Sequence, residues 1–430
     1  MWITPKLGHP DPSISALVAE GFLSRLSFGV VKFVLPLYAY HLGLGLREIG
    51  FLAALSSIVT LLLKPATARL ADRVGCKPTL LAAIGLRSIV ALLLVFAVAP
   101  WQLYAVRSVQ GAATSLRDPS VNALLAEHGG KKAVASAFAW YQTAKTLAGS
   151  LGAAAAGILL SATGSSYSTV LAIAFLLSIL PLIPVGRFVR EERQDDEAHD
   201  AASELPALED SVPAPQRQAP ATLPFIGLGF LISGTAQMVS PLLPVLATQY
   251  AGLTAAEAGS IYLASTAVIL AGPAFGWLSD HVSRKLVLRI RSTANAASSL
   301  IFIFAPNLTG FALGAVVDGL GKAAFRPAWG ALMAHVAGFD RRRRAYTMGL
   351  ISMGEDGGEI AGPIAAAFLW NAYGAAAMLG TRAVVAVISE IYTIAMERSL
   401  KRLEDPPRAR PVEATPPTTS VAAATPADPG

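Results

Sequence analysis

The sequence predicts an all-α polytopic membrane protein made of two six-helix bundles related by pseudo-two-fold symmetry. Three observations predict it: the chain is too apolar for water, its apolar residues come in membrane-length blocks, and its two halves repeat. Hydrophobic residues make up 53% of the 430 residues and charged residues 14%, against about 25% charged in a soluble domain. That much apolar surface needs lipid as its solvent. The blocks run to roughly 20 residues or more, enough helix to cross about 30 Å of hydrocarbon. A soluble helix would show a one-sided apolar stripe instead.

Block lengths and breaks give about twelve spans. The first six cover 13–43, 48–68, 78–99, 102–127, 133–162 and 167–188; the second six cover 222–251, 256–279, 286–305, 308–336, 345–371 and 375–398. The domains follow: residues 1–189 form the first bundle and 222–400 the second. Between them, 190–221 is rich in Glu, Asp and Pro, which cannot build a core, and reads as a flexible linker. The end of the chain, 401–430, is rich in Pro, Thr and Ala and reads as a disordered tail. The first apolar block is too long for a signal-peptide core and lacks a basic leader.

The net charge of +6 does not point to nucleic acid, because the basic residues sit in short clusters between apolar blocks. Arg69, Arg73 and Lys77 follow span two; Lys131 and Lys132 follow span four; Arg187, Arg190 and Arg193 follow span six. Arg284, Lys285, Arg289 and Arg291 follow span eight, and Arg341 to Arg344 follow span ten. Every even-numbered exit is basic and the odd exits carry little charge. Both termini and the linker are therefore expected in the cytoplasm, with the chain in a bacterial inner membrane or one derived from it. The single cysteine, Cys76, can make no internal disulfide, and no Cys/His metal spacing occurs.

The halves match under a shift of 208 residues. It carries Gly21-Phe22-Leu23 onto Gly229-Phe230-Leu231, Leu35-Pro36 onto Leu243-Pro244, and Pro65 onto Pro273. It also carries Asp72 onto Asp280, Lys77 onto Lys285, Gly111 onto Gly319 and Pro119 onto Pro327. Apolar helices share Leu and Ala by composition alone, so the Gly, Pro, Asp and Lys matches carry the argument. A six-span unit repeated in parallel predicts two bundles that rock about a site between them.

The loop after span two, Ala68-Arg69-Leu70-Ala71-Asp72-Arg73-Val74-Gly75-Cys76-Lys77, resembles the G-x-L-A-D-R-x-G-R-K motif of the major facilitator superfamily. Gly276-Trp277-Leu278-Ser279-Asp280-His281-Val282-Ser283-Arg284-Lys285 is its second-half echo. The resemblance implies a latch on the cytoplasmic side, formed by Asp72, Arg73, Lys77, Asp280, Arg284 and Lys285. Ala68 and Cys76 depart from the motif, which weakens the first-half latch. Arg107-Ser108-Val109-Gln110-Gly111 resembles the family's R-x-x-Q-G motif, whose Arg is tied to coupling in proton-driven antiporters. Ala153 stands where drug exporters of the family carry Pro, which argues against a drug antiporter. Gly358 to Gly362-Pro363 resembles that pattern in the opposite half. A looser resemblance, in overall character rather than motif, is to magnetosome-type permeases for iron.

A charge at the bilayer centre costs about 2.5–3.5 kcal/mol even on lenient scales, so such residues face a cavity, pair, or sit near an interface. Glu20, Arg25 and Lys32 lie in span one, Arg107 in span four, Lys145 in span five, Asp318 and Lys322 in span ten, Glu355, Asp356 and Glu359 in span eleven, and Arg382 and Glu390 in span twelve. Asp318 and Lys322 are spaced to pair on one helix face. By the resemblance, spans one, four, seven and ten line the cavity. Arg25, Lys32, Arg107, Asp318 and Lys322 are therefore the candidates for the solute site, and Glu355 and Glu359, which share a face of span eleven, join Asp318 as candidates for coupling. Arg117, Asp118 and Arg326 are expected as pairs at the cytoplasmic gate.

The function implied is secondary active transport of a small polar or charged solute, proton-coupled, as symporter or antiporter. Basic groups suit an anion; the acids suit a coupling proton or a hard cation. The alternatives are transport of a metal ion or anionic metal chelate, and a non-transporting receptor or scaffold on the same fold. No nucleophile–base set or phosphate loop points to an enzyme, and no cofactor is implied. The partners expected are the solute and the bilayer, with the chain a monomer.

Overall fold

The computed structural model describes residues 12–128, 130–189, 222–269, 284–337 and 344–404. The linker and most of the tail lie outside these residues, as does Asp280. Every expected span has its helix. The first half contains α1 (Pro12–His41), α2 (Leu46–Val74), α3 (Cys76–Val95), α4 (Pro100–His128), α5 (Gly130–Ala162) and α6 (Tyr167–Ile179, continued by Leu182–Phe188). The second contains α7 (Leu223–Val239, continued by Leu243–Val245 and a π-helical turn, Leu246–Tyr250), α8 (Ala255–Ile269), α9 (Arg284–Phe304), α10 (Leu308–Ala337), α11 (Arg344–Tyr373) and α12 (Ala375–Glu404).

The repeat is visible in the helix starts. The first residues of α3 and α9, of α4 and α10, and of α6 and α12 stand 208 residues apart. By length and composition, eight of these helices are long and apolar enough to cross a membrane: α1, α2, α3, α5, α6, α7, α10 and α12. Of the rest, α4, α9 and α11 are as long but interrupted by charged residues, and α8 is described only to Ile269. Large apolar side chains such as Leu62, Phe304 and Ile391 are exposed on the outer surface, as lipid-facing residues are.

Within each half, the first and fifth helices pack through small residues. A Cβ added at Gly152 of α5 would collide with the Leu26 carbonyl of α1, and one added at Gly354 of α11 would collide with the Ile226 carbonyl of α7. Without a hydrophobic drive between helices in lipid, such close backbone approach is what holds them together. Between α2 and α3 the chain turns on Gly75 alone, at φ +104°, a conformation that a side chain disfavours.

The apolar core is unequal at the two ends. At the end bearing the odd-numbered connections, one continuous cluster joins both halves, with Phe33, Ile49, Leu52 and Leu103 packed together with Leu242, Ile261, Phe311 and Ala367. At the basic end each half has its own cluster: Leu17, Leu80, Leu124 and Tyr141 in the first, Leu228, Trp329 and Ile351 in the second. The bundles are thus sealed together at one end and separately cored at the other.

Candidate functional site

Three contacts make the seal. On the α2–α11 side, a Cβ on Gly50 would lie 2.6 Å from the Pro363 carbonyl oxygen, and the Arg47 guanidinium sits 5.0 Å from the Phe368 ring centre. On the α5–α8 side, a Cβ on Gly157 would lie 2.7 Å from the Gly259 Cα, and the Ala256 backbone N–H donates to Ser161 Oγ at 2.9 Å. Between α1 and α7, Lys32 Nζ donates to Ser240 Oγ at 3.1 Å. Lys32 and Ser240 are themselves 208 residues apart. Equivalent positions of a two-fold repeat meet only near its axis, so this pair marks the centre of the molecule.

Around that centre the candidate residues gather. Lys32 lies within electrostatic range of Lys322, Arg25, Arg107 and Glu359. The Lys322 side chain is 43% exposed at mid-helix, and Glu359 is also exposed. Both are in range of Lys32 on the opposite bundle, so their exposure is to the cleft between bundles. Arg25 lies against Phe28, its guanidinium carbon 4.6 Å from the ring centre. Arg107 ties α4 to α2: Nε donates to the Leu52 carbonyl at 3.1 Å, one terminal nitrogen to the Ala53 carbonyl at 2.9 Å and the other to Gln110 Oε1 at 2.7 Å. Gly111 completes that contact, since a Cβ there would lie 2.6 Å from the Ser56 carbonyl oxygen.

Two buried charge networks flank the cleft. In the first bundle Arg117 donates to both oxygens of Glu20 at 2.9 Å and to Tyr141 Oη at 2.6 Å. Asp118 reaches it at 3.5 Å, and Ser24 Oγ donates to Glu20 Oε1 at 2.8 Å. Glu20 is wholly buried and Arg117 nearly so, so Arg117 sits inside the bundle and not between the bundles. In the second bundle Asp318 gathers three cations: Arg382 at 2.5 Å, Lys322 at 2.6 Å and Arg291 at 3.7 Å. Arg382 further donates to the Thr235 carbonyl, Asn295 Oδ1, Ser298 Oγ and Ser299 Oγ at 2.8–3.0 Å.

The acids of α11 are separated. Glu355 Oε1 accepts from Trp329 Nε1 at 2.6 Å, and Asp356 pairs with Lys64 of α2 at 3.5 Å. Among the described residues no group of three His, Cys, Asp or Glu side chains is placed to hold a metal. Of the latch residues, Asp72 falls in the last turn of α2, Arg73 is exposed, and Lys77 Nζ donates to the Gly186 carbonyl at 3.3 Å. The side chains of Asp72, Arg284, Lys285 and Arg326 lie outside the described residues.

The reading of Arg291 as a loop charge is corrected. It lies two turns into α9, 2% exposed, against Asp318. Position in a basic run did not distinguish it from Arg284 and Lys285; its carboxylate partner on α10 does. Arg87, a charge within the apolar block 78–99, joins these residues from α3. Its guanidinium sits 5.2 Å from the Phe28 ring centre.

A two-bundle membrane protein sealed at one end over a charged cleft is built as a solute transporter. The chain matches the Major Facilitator Superfamily over residues 19–227 and again over 225–426, and it belongs to that family. It is accordingly a multi-pass membrane transporter and not an enzyme. No curated protein matches it. Solved structures share its fold: the tetrameric PepTSo2 at TM-score 0.70 and 14% identity, over 91% of this chain and 99% of that one; a bacterial homologue of the human lysosomal transporter Spinster, inward-facing and occupied, at 0.68 and 15%, over 91% and 97%; and the human organic anion transporter MFSD10 at 0.62 and 16%, over 91% and 100%.

Proposed function

We propose that this chain moves a small anionic solute across the membrane by alternating access, coupled to protons. The observation that carries the reading is the convergence of Lys32, Lys322, Arg25 and Arg107 near the pseudo-two-fold axis, directly beneath the sealed end. A cleft with this balance of charge favours a carboxylate or similar group through charge-assisted hydrogen bonds. A transported metal cation fits less well, because Glu355 and Asp356 are engaged separately with Trp329 and Lys64. A solved structure described as a human organic anion transporter agrees with this choice; those described as nucleoside and peptide transporters are the competing classes.

With the basic loops in the cytoplasm, the sealed end faces outward, and the structure is the inward-facing state. The motif around Asp72 and Asp280 then latches the opposite state. For coupling, Asp318 has its oxygens taken up by Arg382, Lys322 and Arg291. Glu359, exposed to the cleft and in range of Lys32, is better placed, since a proton there changes the charge that the solute meets.

The test is uptake into proteoliposomes holding the purified protein, with labelled organic anions, nucleosides and dipeptides, with and without a pH gradient. We expect saturable, gradient-stimulated flux of an anion. Lys322→Ala should lower it about ten-fold, the loss of one charge-assisted hydrogen bond. Transport of neutral solutes alone, at a rate Lys322→Ala does not change, would remove the anion assignment.

A further inference from the structure

The second bundle places a guanidinium where the first bundle has a hole. Arg382 fills a nest made by Thr235, Asn295, Ser298, Ser299 and Asp318. Shifted back by 208 residues, the nest becomes Ser27, Arg87, Val90, Ala91 and Gln110, and Arg382 becomes Ala174. All five of those positions line one cavity of about 20 Å³ inside the first bundle. The helices that carry Arg87, Val90, Ala91, Gln110 and Ala174, namely α3, α4 and α6, hold the 208-residue register with α9, α10 and α12; Ser27 lies on α1. With Ala174 at the equivalent of Arg382, this half has no guanidinium to enter the space.

The chemistry of the space is also inverted. In the second bundle a cation enters beside the carboxylate of Asp318. In the first, the equivalent of Asp318 is neutral Gln110, and the equivalent of Asn295 is the cation Arg87. Among the described residues, Arg87 makes one hydrogen bond, to the Ser24 carbonyl at 3.5 Å, and lies against Phe28. A guanidinium carries five N–H donors, so most are left over. Gln110 Oε1 is committed to Arg107, and because Arg only donates, this fixes the amide with its NH₂ unused. The hydroxyl protons of Ser24, Ser27 and Ser178 go to Glu20, Ala174 and Phe175. No carboxylate lines the cavity, and the nearby Glu20 is held by Arg117.

We propose that this cavity is a binding site for a small, weakly hydrated monovalent anion of halide type, coordinated by Arg87 and Gln110. A cavity of this size holds a single small ion or water. Its walls of Phe28, Val31, Ile84, Val90 and Ala91 disfavour a strongly hydrated ion such as phosphate. The anion compensates a part-buried cation that has no carboxylate beside it, which is what the membrane interior demands. The site lies within the first bundle, between α1, α3, α4 and α6, and does not depend on which solute the cleft carries.

The probe is chloride, titrated against gluconate at constant ionic strength into the full chain in nanodiscs. Binding is read by chloride-35 line broadening and by the thermal unfolding midpoint. We expect a saturable response in the wild type, displaced by bromide, lost in Arg87→Gln, and about five-fold weaker in Gln110→Leu, the loss of one neutral hydrogen bond. If Arg87→Gln does not fold, bromide displacement and Gln110→Leu decide the matter alone. A response that is absent or non-saturable in the wild type, or equal in the variants, overturns the proposal and leaves the cavity to water.

Discussion

The two bundles have one scaffold and two different charge plans. Three of their helix pairs begin in register, and their first and fifth helices meet through glycine in both halves. Their buried charges share almost no positions. The first bundle pairs one acid, Glu20, with one guanidinium, Arg117. The second surrounds one acid, Asp318, with three cations. The equivalents of Glu20 and Arg117 are Leu228 and Phe325; those of Arg382 and Arg291 are Ala174 and Ala83. Duplication has kept close backbone approach between the same helices, although the contacting glycines differ in position (208 residues after Gly152 stands Ile360), and has changed the residues that set electrostatics. In lipid this is expected: close approach needs a small residue somewhere along the crossing, whereas a polar network can be rebuilt if all its members change together.

The comparison breaks most easily at the acids. Asp318→Asn leaves three cations facing one another at membrane depth, and the second bundle should lose about 3–5 kcal/mol. Glu20→Gln strands one cation, Arg117, and should cost the low end of the same range. Thermal unfolding of the two variants in nanodiscs measures the difference; equal losses would mean that the surplus cations around Asp318 are compensated elsewhere. Removing both partners sharpens the test. Glu20→Gln combined with Arg117→Met should recover much of the single-variant loss, because an apolar pair of similar shape replaces a stranded charge.

The smallest effect is expected where the bundles exchange a charge pair in the open. Lys64 and Asp356 bridge α2 and α11 at 3.5 Å, with side chains 53% and 30% exposed. Lys64→Ala should change stability by no more than about 1 kcal/mol, and less at high salt. A larger, salt-insensitive loss would show that this contact holds the bundles together as firmly as the apolar seal.

Much of this was legible in the sequence because membrane helices are specified locally. Apolar block length gave the twelve helices, the 208-residue shift gave their pairing into halves, and the i,i+4 spacing gave the Asp318–Lys322 pair. The partners across helices were hidden. Arg117 reaches Glu20 over 97 residues and Arg382 reaches Asp318 over 64, and no local spacing announces either. Arg382 shows the limit well: as one charge in span twelve it could have met the acids of span eleven, but its side chain reaches inward to Asp318 of α10. Arg87 was visible as a charge in an apolar block. Its meaning came only from the cavity around it and the filled nest in the other half.

The central claim is that the sealed end must open in every transport cycle. Ser161 and Ala256 meet across that seal, so Ser161→Cys and Ala256→Cys, in a chain with Cys76→Ser, allow a disulfide to lock it. Flux of the transported solute into proteoliposomes should stop on oxidation and return on reduction. Undiminished flux through the fully cross-linked protein would contradict alternating access.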